Sequence, residues 1–457
     1  MFLAASGCAP DAVPDRDPRP GPDPYVFPDA DSWGQTEGPG GPARTFTADE
    51  LEEACGFVVG GEGDHEHHNL LVMHDGWLVH PWAPESGGGG ISFLDFTDPC
   101  NPVVHGQEWS DFMRETHTLA FGEIDGRKYL AVDYHDDLAI GGLGIWDITD
   151  TSAPFWASEL VTPSYHYPDS YLRVTFSNFW LGDVLYVSAA FNGIHVVDVS
   201  DPLNPVIVNT VTFEGLPHLV GSFTVIGDMA LAASAGTSRA VMMDVSDPWN
   251  PLPIPGGEFY TQGEAGQESE YYFSSISGKY GLFARKDFGG GPLIYDLSDP
   301  ANPTKTGEFY TLDGDGGYIY RQSDRLFVGD SNFASIYDFD EVAPVETFRH
   351  YGPGDLDTFS PIGNVAILSV DSGGAPGQAS TVIPFAAEPD SVAPVVELGR
   401  PADGATWIAT TTPIGVSFDE WIEHASVFDG SFRVADQDGQ NVPGRFNTQE
   451  SVVNVTA

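Results

Sequence analysis

Short apolar stretches separated by Gly, Pro, Asn and Asp dominate this chain, and helix-favouring runs of Ala, Leu, Glu and Lys are scarce. That pattern predicts many short strands joined by turns. One segment recurs. Val196-Val197-Asp198-Val199-Ser200-Asp201-Pro202-Leu203-Asn204-Pro205 has close counterparts ending at Pro102, Pro251 and Pro303. Weaker copies surround Asp147 and Asp338, and a seventh falls at Thr381-Val382-Ile383-Pro384-Phe385, with Pro384 in the Asp position. The marked positions 95, 147, 198, 244, 296, 338 and 384 are separated by 52, 51, 46, 52, 42 and 46 residues. Such a period predicts one four-stranded propeller blade per unit. In each unit an apolar strand, a polar turn and a second strand precede a Gly-rich loop and the Asp-ending third strand. The Asp-Pro-x-Asn-Pro turn follows, its prolines stopping the ladder and its Asp and Asn bonding local backbone.

On these residues the chain resembles the LVIVD-repeat family of bacterial and archaeal surface proteins, over about residues 65–390. The resemblance implies a propeller scaffold, not a chemistry. Beyond it, Asp390-Ser391-Val392-Ala393-Pro394, Arg400-Pro401-Ala402-Asp403-Gly404 and Ile414-Gly415-Val416-Ser417-Phe418 resemble a bacterial Ig-like domain of the S-layer-protein type. The fold class expected is therefore all-β: a seven-bladed β-propeller over residues 48–390, then a partial Ig-like β-sandwich over 391–457, incomplete. Residues 1–8, ending Ala5-Ser6-Gly7-Cys8, resemble a truncated bacterial lipoprotein signal, with the basic segment and most of the apolar stretch missing. That resemblance implies lipidation at Cys8, export, and a place on the outer membrane or cell surface. Residues 9–47 are rich in Pro and Asp and read as a disordered, extended tether.

A seventh blade without its own fourth strand would leave an open edge. The apolar segment Cys55-Gly56-Phe57-Val58-Val59 is available to fill it. Let "top" be the face where each innermost strand begins. This closure then places Cys55 at the bottom of blade seven and Cys100 in the bottom turn of blade one, where a disulfide can form. The tether and the Ig-like domain both leave from the bottom, and the top face stays free.

Eighteen basic against 67 acidic residues give a formal charge of -49, which repels phosphate backbones and excludes nucleic acid as a partner. The excess acid either solvates the surface or captures divalent cations. No apolar run is long enough for a membrane helix, so membrane contact is expected only through the lipid anchor. Aligning the blades on their first turn places His117, Arg173 and His218 at the top of inner strands, with His67 or His68 in blade one. Blades five to seven supply Glu270, Asp315 and Asp357 in a channel-mouth ring with Arg173; Glu268, Asp313 and Asp355 are their alternatives. Loops on the same face add His135 and Asp330. His67, His68, His117, His135 and His218 are thus candidate ligands for a transition metal, against the simpler reading of a wet, polar channel mouth. Asp313-Gly314-Asp315-Gly316-Gly317 and Asp436-Gln437-Asp438-Gly439 look like parts of calcium loops but lack the remaining ligands, and read as Asp-Gly turns.

No nucleophile elbow, phosphate loop or dinucleotide fingerprint stands out. The leading expectation is a non-catalytic surface binding or adhesion protein whose top face meets a protein, glycan or cation. The alternative is a metal-dependent oxidoreductase or hydrolase using the His-rich rim, and a third is a purely structural envelope protein.

Overall fold

In a computed structural model of the chain, the described residues are 38–51, 55–57, 70–136, 140–167, 171–213, 218–286, 289–371, 380–428, 430–436 and 438–456. They form seven four-stranded antiparallel sheets that follow one another along residues 72–384, then an eighth sheet. The marked positions 95, 147, 198, 244, 296, 338 and 384 each end the third strand of a sheet. The reason for the recurring Asp is local. Oδ1 of Asp95, Asp147, Asp198, Asp244 and Asp296 accepts the backbone N–H two residues on, at 2.8–3.0 Å. In blades one to six the register with the fourth strand shifts just before this Asp, as between Val196 and Val197. The extra residue lies on the fourth strand, as at Val208, and the Asp still pairs across the ladder, as Asp198 does with Val206. Third strands are buried along their apolar residues, and the aliphatic and aromatic core lies between neighbouring blades.

Blade seven contributes three strands, Thr358–Ile362, Val365–Ser369 and Ser380–Pro384, and Cys55–Phe57 completes it, with Cys55 opposite Val382. A disulfide joins Cys55 to Cys100, Cα–Cα 5.5 Å, tying the closing strand to blade one. The expected tether boundary at residue 47 needs one correction. Phe46 is buried in the core shared by blades one and seven, and Gly38 N donates to Asp75 O, so the packed chain begins no later than Gly38.

The eighth sheet, over Val396–Arg400, Ile414–Phe418, Val452–Thr456 and Arg445–Gln449, lies flat against the propeller's bottom. The first turns of blades three, four and five meet it, at Gly182, Gly227 and Gly278. Gly182 (φ 59°) and Gly227 (φ 54°) occupy left-handed turns, and a Cβ there would stand 2.5 Å from Thr456 Oγ1 and 2.4 Å from Arg400 O. Only glycine satisfies both demands. Asn454, fully buried, accepts from Gly227 N at 2.8 Å and donates to Val225 O at 2.8 Å. Asn447 donates to Phe121 O, Gly278 N to Phe418 O, and Ser323 N to Asp419 O. Arg321 grips Glu397 through both terminal nitrogens at 2.9 and 3.1 Å, and Arg400 meets Asp228 at 2.8 Å.

Candidate functional site

The top face carries residues that precede inner strands or follow second strands. In blade seven the two sets converge. Asp355 and Asp357 stand just before Thr358–Ile362, and Asp371 just after Val365–Ser369. The loops are tied together by Asp371 N donating to Asp355 O at 2.8 Å. One carboxylate oxygen from each of Asp355, Asp357 and Asp371 lies within 4.8 Å of the others. Asp357 is 8% exposed, and its main-chain carbonyl accepts from Tyr318 N at 2.9 Å. Burial, then the charge of the neighbouring carboxylates, pushes the Asp357 and Asp355 carboxyls up. The cation opposing this is Lys286, whose Nζ is 3.7 Å from Asp315 Oδ1 and 4.3 Å above the Tyr272 ring.

A buried aromatic group lies beside these acids. Phe273 and Tyr318 stack at 4.5 Å with planes 4° apart, and His117 stacks on Phe273 at 5.0 Å. His117 Nε2 is 3.6 Å from Glu115 Oε1 and 3.5 Å from the Tyr272 hydroxyl. Burial and then the Arg114 guanidinium bring the His117 imidazole down to about 3, so it is neutral at physiological pH. Arg114 is itself fully buried and donates from Nε to Glu85 O and from Nη1 to Thr175 O. Burial likewise holds the Tyr272 and Tyr318 phenols far above their usual range.

The other candidate residues are more scattered. His67, His68 and Cys8 lie outside the described residues. His135 ends the strand Arg127–His135 with Nδ1 3.2 Å from the Tyr165 hydroxyl. His218 Nε2 is 3.1 Å from Ala232 O, and burial brings it down to about 4. Among the described residues, no cluster of three metal-competent side chains includes His117, His135 or His218. Arg173 and Glu270 are exposed, and Glu270 O accepts from Lys286 N. Asp315 and Asp357 therefore share a region through Lys286 and Asp355. Asp313 is paired with Arg349, and Gly316 and Gly317 open the strand Gly316–Gln322. By contrast, Asp436 Oδ1 accepts from the backbone of Asp438 and Gln440, and Asp436 O accepts from Gly439 N, as in a turn. The histidine-centred reading overlooked Asp371, Glu115 and Lys286. Applying the rule for second-strand ends to blade seven finds Asp371 directly.

Chemically, a buried carboxylate group facing one ammonium takes up either protons or a cation. An all-oxygen donor set suits a hard ion such as Ca²⁺, or a ligand amine, better than a transition metal.

Two family models match parts of the chain. A bacterial Ig-like domain model covers residues 390–457, and an LVIVD repeat model covers residues 180–212, within blade three. No curated protein matches. Among solved structures, a protein from Lactobacillus plantarum is 13% identical, with TM-score 0.48 over 80% of this chain and 94% of that one. BamB from Moraxella catarrhalis is 10% identical, with TM-score 0.43 over 72% of this chain and 97% of that one. The designed protein Ika8 is 9% identical, with TM-score 0.45 over 72% of this chain and 99% of that one. The fold itself is defined by the seven-sheet topology and closing strand described above.

Proposed function

We propose that this chain is an exported bacterial surface lipoprotein, anchored through Cys8, that binds a protein, glycan or cation with the top face of its propeller and has no catalytic role. One observation carries the reading: both the N-terminal approach and the Ig-like sheet occupy the bottom face, and the acidic mouth opens on the opposite side. An anchored propeller held by its lower face presents the upper one outward. The Asp355–Asp357–Asp371 group would supply the charge that selects a hard cation or a ligand amine. The scatter of His117, His135 and His218 favours binding over turnover by a His-rich metal site.

The test uses the full chain immobilised by its N-terminus and probed with panels of glycans and extracellular proteins, in Ca²⁺ and in chelator. Saturable binding is expected that D355N/D357N/D371N abolishes and the bottom-face variant R445A leaves intact. Binding indifferent to the triple substitution, or multiple turnover of an oxidase or hydrolase substrate, would refute the proposal. Mass spectrometry of the mature N-terminus reports on the anchor, which requires a diacylglycerol on Cys8.

A further inference from the structure

A second group of metal-competent side chains lies at the opposite end of the propeller, where blade one meets the C-terminal sheet. His74 and Asp75 sit on the first turn of blade one, between Val72–His74 and Trp77–Trp82. His424 opens the short helix His424–Ser426 of the Ig-like domain. Glu423, which caps that helix, also accepts from Gly76 N at 3.4 Å, so the helix is docked on the turn by backbone as well as side chain. One donor atom from each of His74, Asp75 and His424 lies within 4.8 Å of the other two.

We propose that His74, Asp75 and His424 form a binding site for a first-row transition-metal dication, Zn²⁺ being the best match, that fastens the C-terminal domain to blade one. The inference is independent of the reading of the top face. Two imidazoles and one carboxylate are a zinc-type donor set, unlike the all-oxygen group above. The side chains already have the outer partners that such ligands use. His424 Nδ1 lies 3.1 Å from Thr448 Oγ1, which leaves Nε2 for a metal. Lys128 Nζ bonds Asp75 Oδ2 at 2.8 Å.

A cavity of about 20 Å³ beside the two histidines, lined by Leu119, Phe121, Thr448 and Glu450 among others, has room for one water as a fourth ligand. Tetrahedral bonds of ~2.0–2.1 Å bring donor atoms to about 3.4 Å from one another. Closure on the metal therefore needs ring rotation and shifts of about 1 Å from the observed spacing. The imidazoles stack at 4.8 Å, and His74 also stacks on Phe121 at 3.7 Å. Loading should loosen the first of these stacks.

The experiment strips the purified full chain with chelator and titrates it with zinc chloride against a chromophoric competitor. Thermal unfolding and circular dichroism are recorded in parallel. One tight equivalent and an upward shift of Tm are expected. Both should persist in H67A/H68A, which alters a His-rich stretch of the sequence, and in D355N/D357N, which removes the second metal-competent group among the described residues. H424Q should lose the Tm shift and bind at least ~10-fold more weakly. T448V, which removes only an outer partner, should bind about 10-fold more weakly with the fold intact, so the test survives if H424Q does not fold. A wild-type chain without a tight equivalent overturns the proposal. So does an equivalent that survives in both H424Q and T448V, or one that disappears in H67A/H68A.

Discussion

The two ends of this propeller are built from the same repeat and arrange charge differently. At the bottom, ion pairs join parts of the chain: Arg321 with Glu397, Arg400 with Asp228, Arg445 with Asp183, and Lys128 with Asp75. Burial there pushes the Glu450 carboxyl up to about 8, towards its neutral form. Around Asp357 at the top, three carboxylates converge, and the Lys286 ammonium acts against their charge. The bottom is arranged for adhesion between parts of one chain, where an unmatched charge would weaken packing. The top keeps a surplus of negative charge that an external cation can neutralise. The two ends thus differ in arrangement: ion pairs bridge separate parts of the chain at the bottom, and three carboxylates cluster within one blade at the top.

That contrast can be broken or sharpened by substitution. The largest effect should come from the closing staple. C100S opens a loop whose ends lie 45 residues apart and should cost about 4 kcal/mol of stability in denaturant unfolding, an effect that reductant reproduces in wild type. Next is the buried contact with blade four. N454A removes both hydrogen bonds to the Val225–Gly227 turn and should cost about 2–3 kcal/mol, with the C-terminal sheet becoming more sensitive to protease.

At the top the sign reverses. The folded state holds the Asp357 carboxyl above its unfolded range, so it binds the proton more tightly than the unfolded chain does. Stability from this group is greatest in acid and declines as pH rises from the ordinary Asp range up to the raised value. D357N should therefore remove that decline and stabilise the chain by about 1 kcal/mol at neutral pH in chelator, read from unfolding at several pH values. A destabilised D357N would mean that the acids at the top are matched after all. The smallest effect belongs to R445A, whose partner pair is 41% exposed on both sides, and a loss under about 0.5 kcal/mol is expected by the same assay.

Much of the scaffold was legible from spacing alone. The seven marked positions end seven third strands, and the segment at Cys55 pairs with the last of them, because both features follow from local turn chemistry and the need to cover an edge. The side-chain groups were harder to read. Asp357 stands out through its place before an inner strand, whereas its partner Asp371 comes from a different loop of the same blade. His74 and His424 are separated by most of the sequence and meet only because the Ig-like sheet folds back onto the first turns of the blades. No local pattern encodes that docking. Its nearest trace is glycine at 182 and 227, whose missing side chains make room for a neighbour that the repeat itself does not contain.

The Ig-like domain covers one end of the propeller. Val452 packs with Ile226 and Ile276, and Trp421 packs against Tyr320. The inner strands of blades four, five and six are thus capped at their lower ends by side chains from outside the repeat. A ligand of the Asp355–Asp357–Asp371 group would therefore have to approach from the uncapped side.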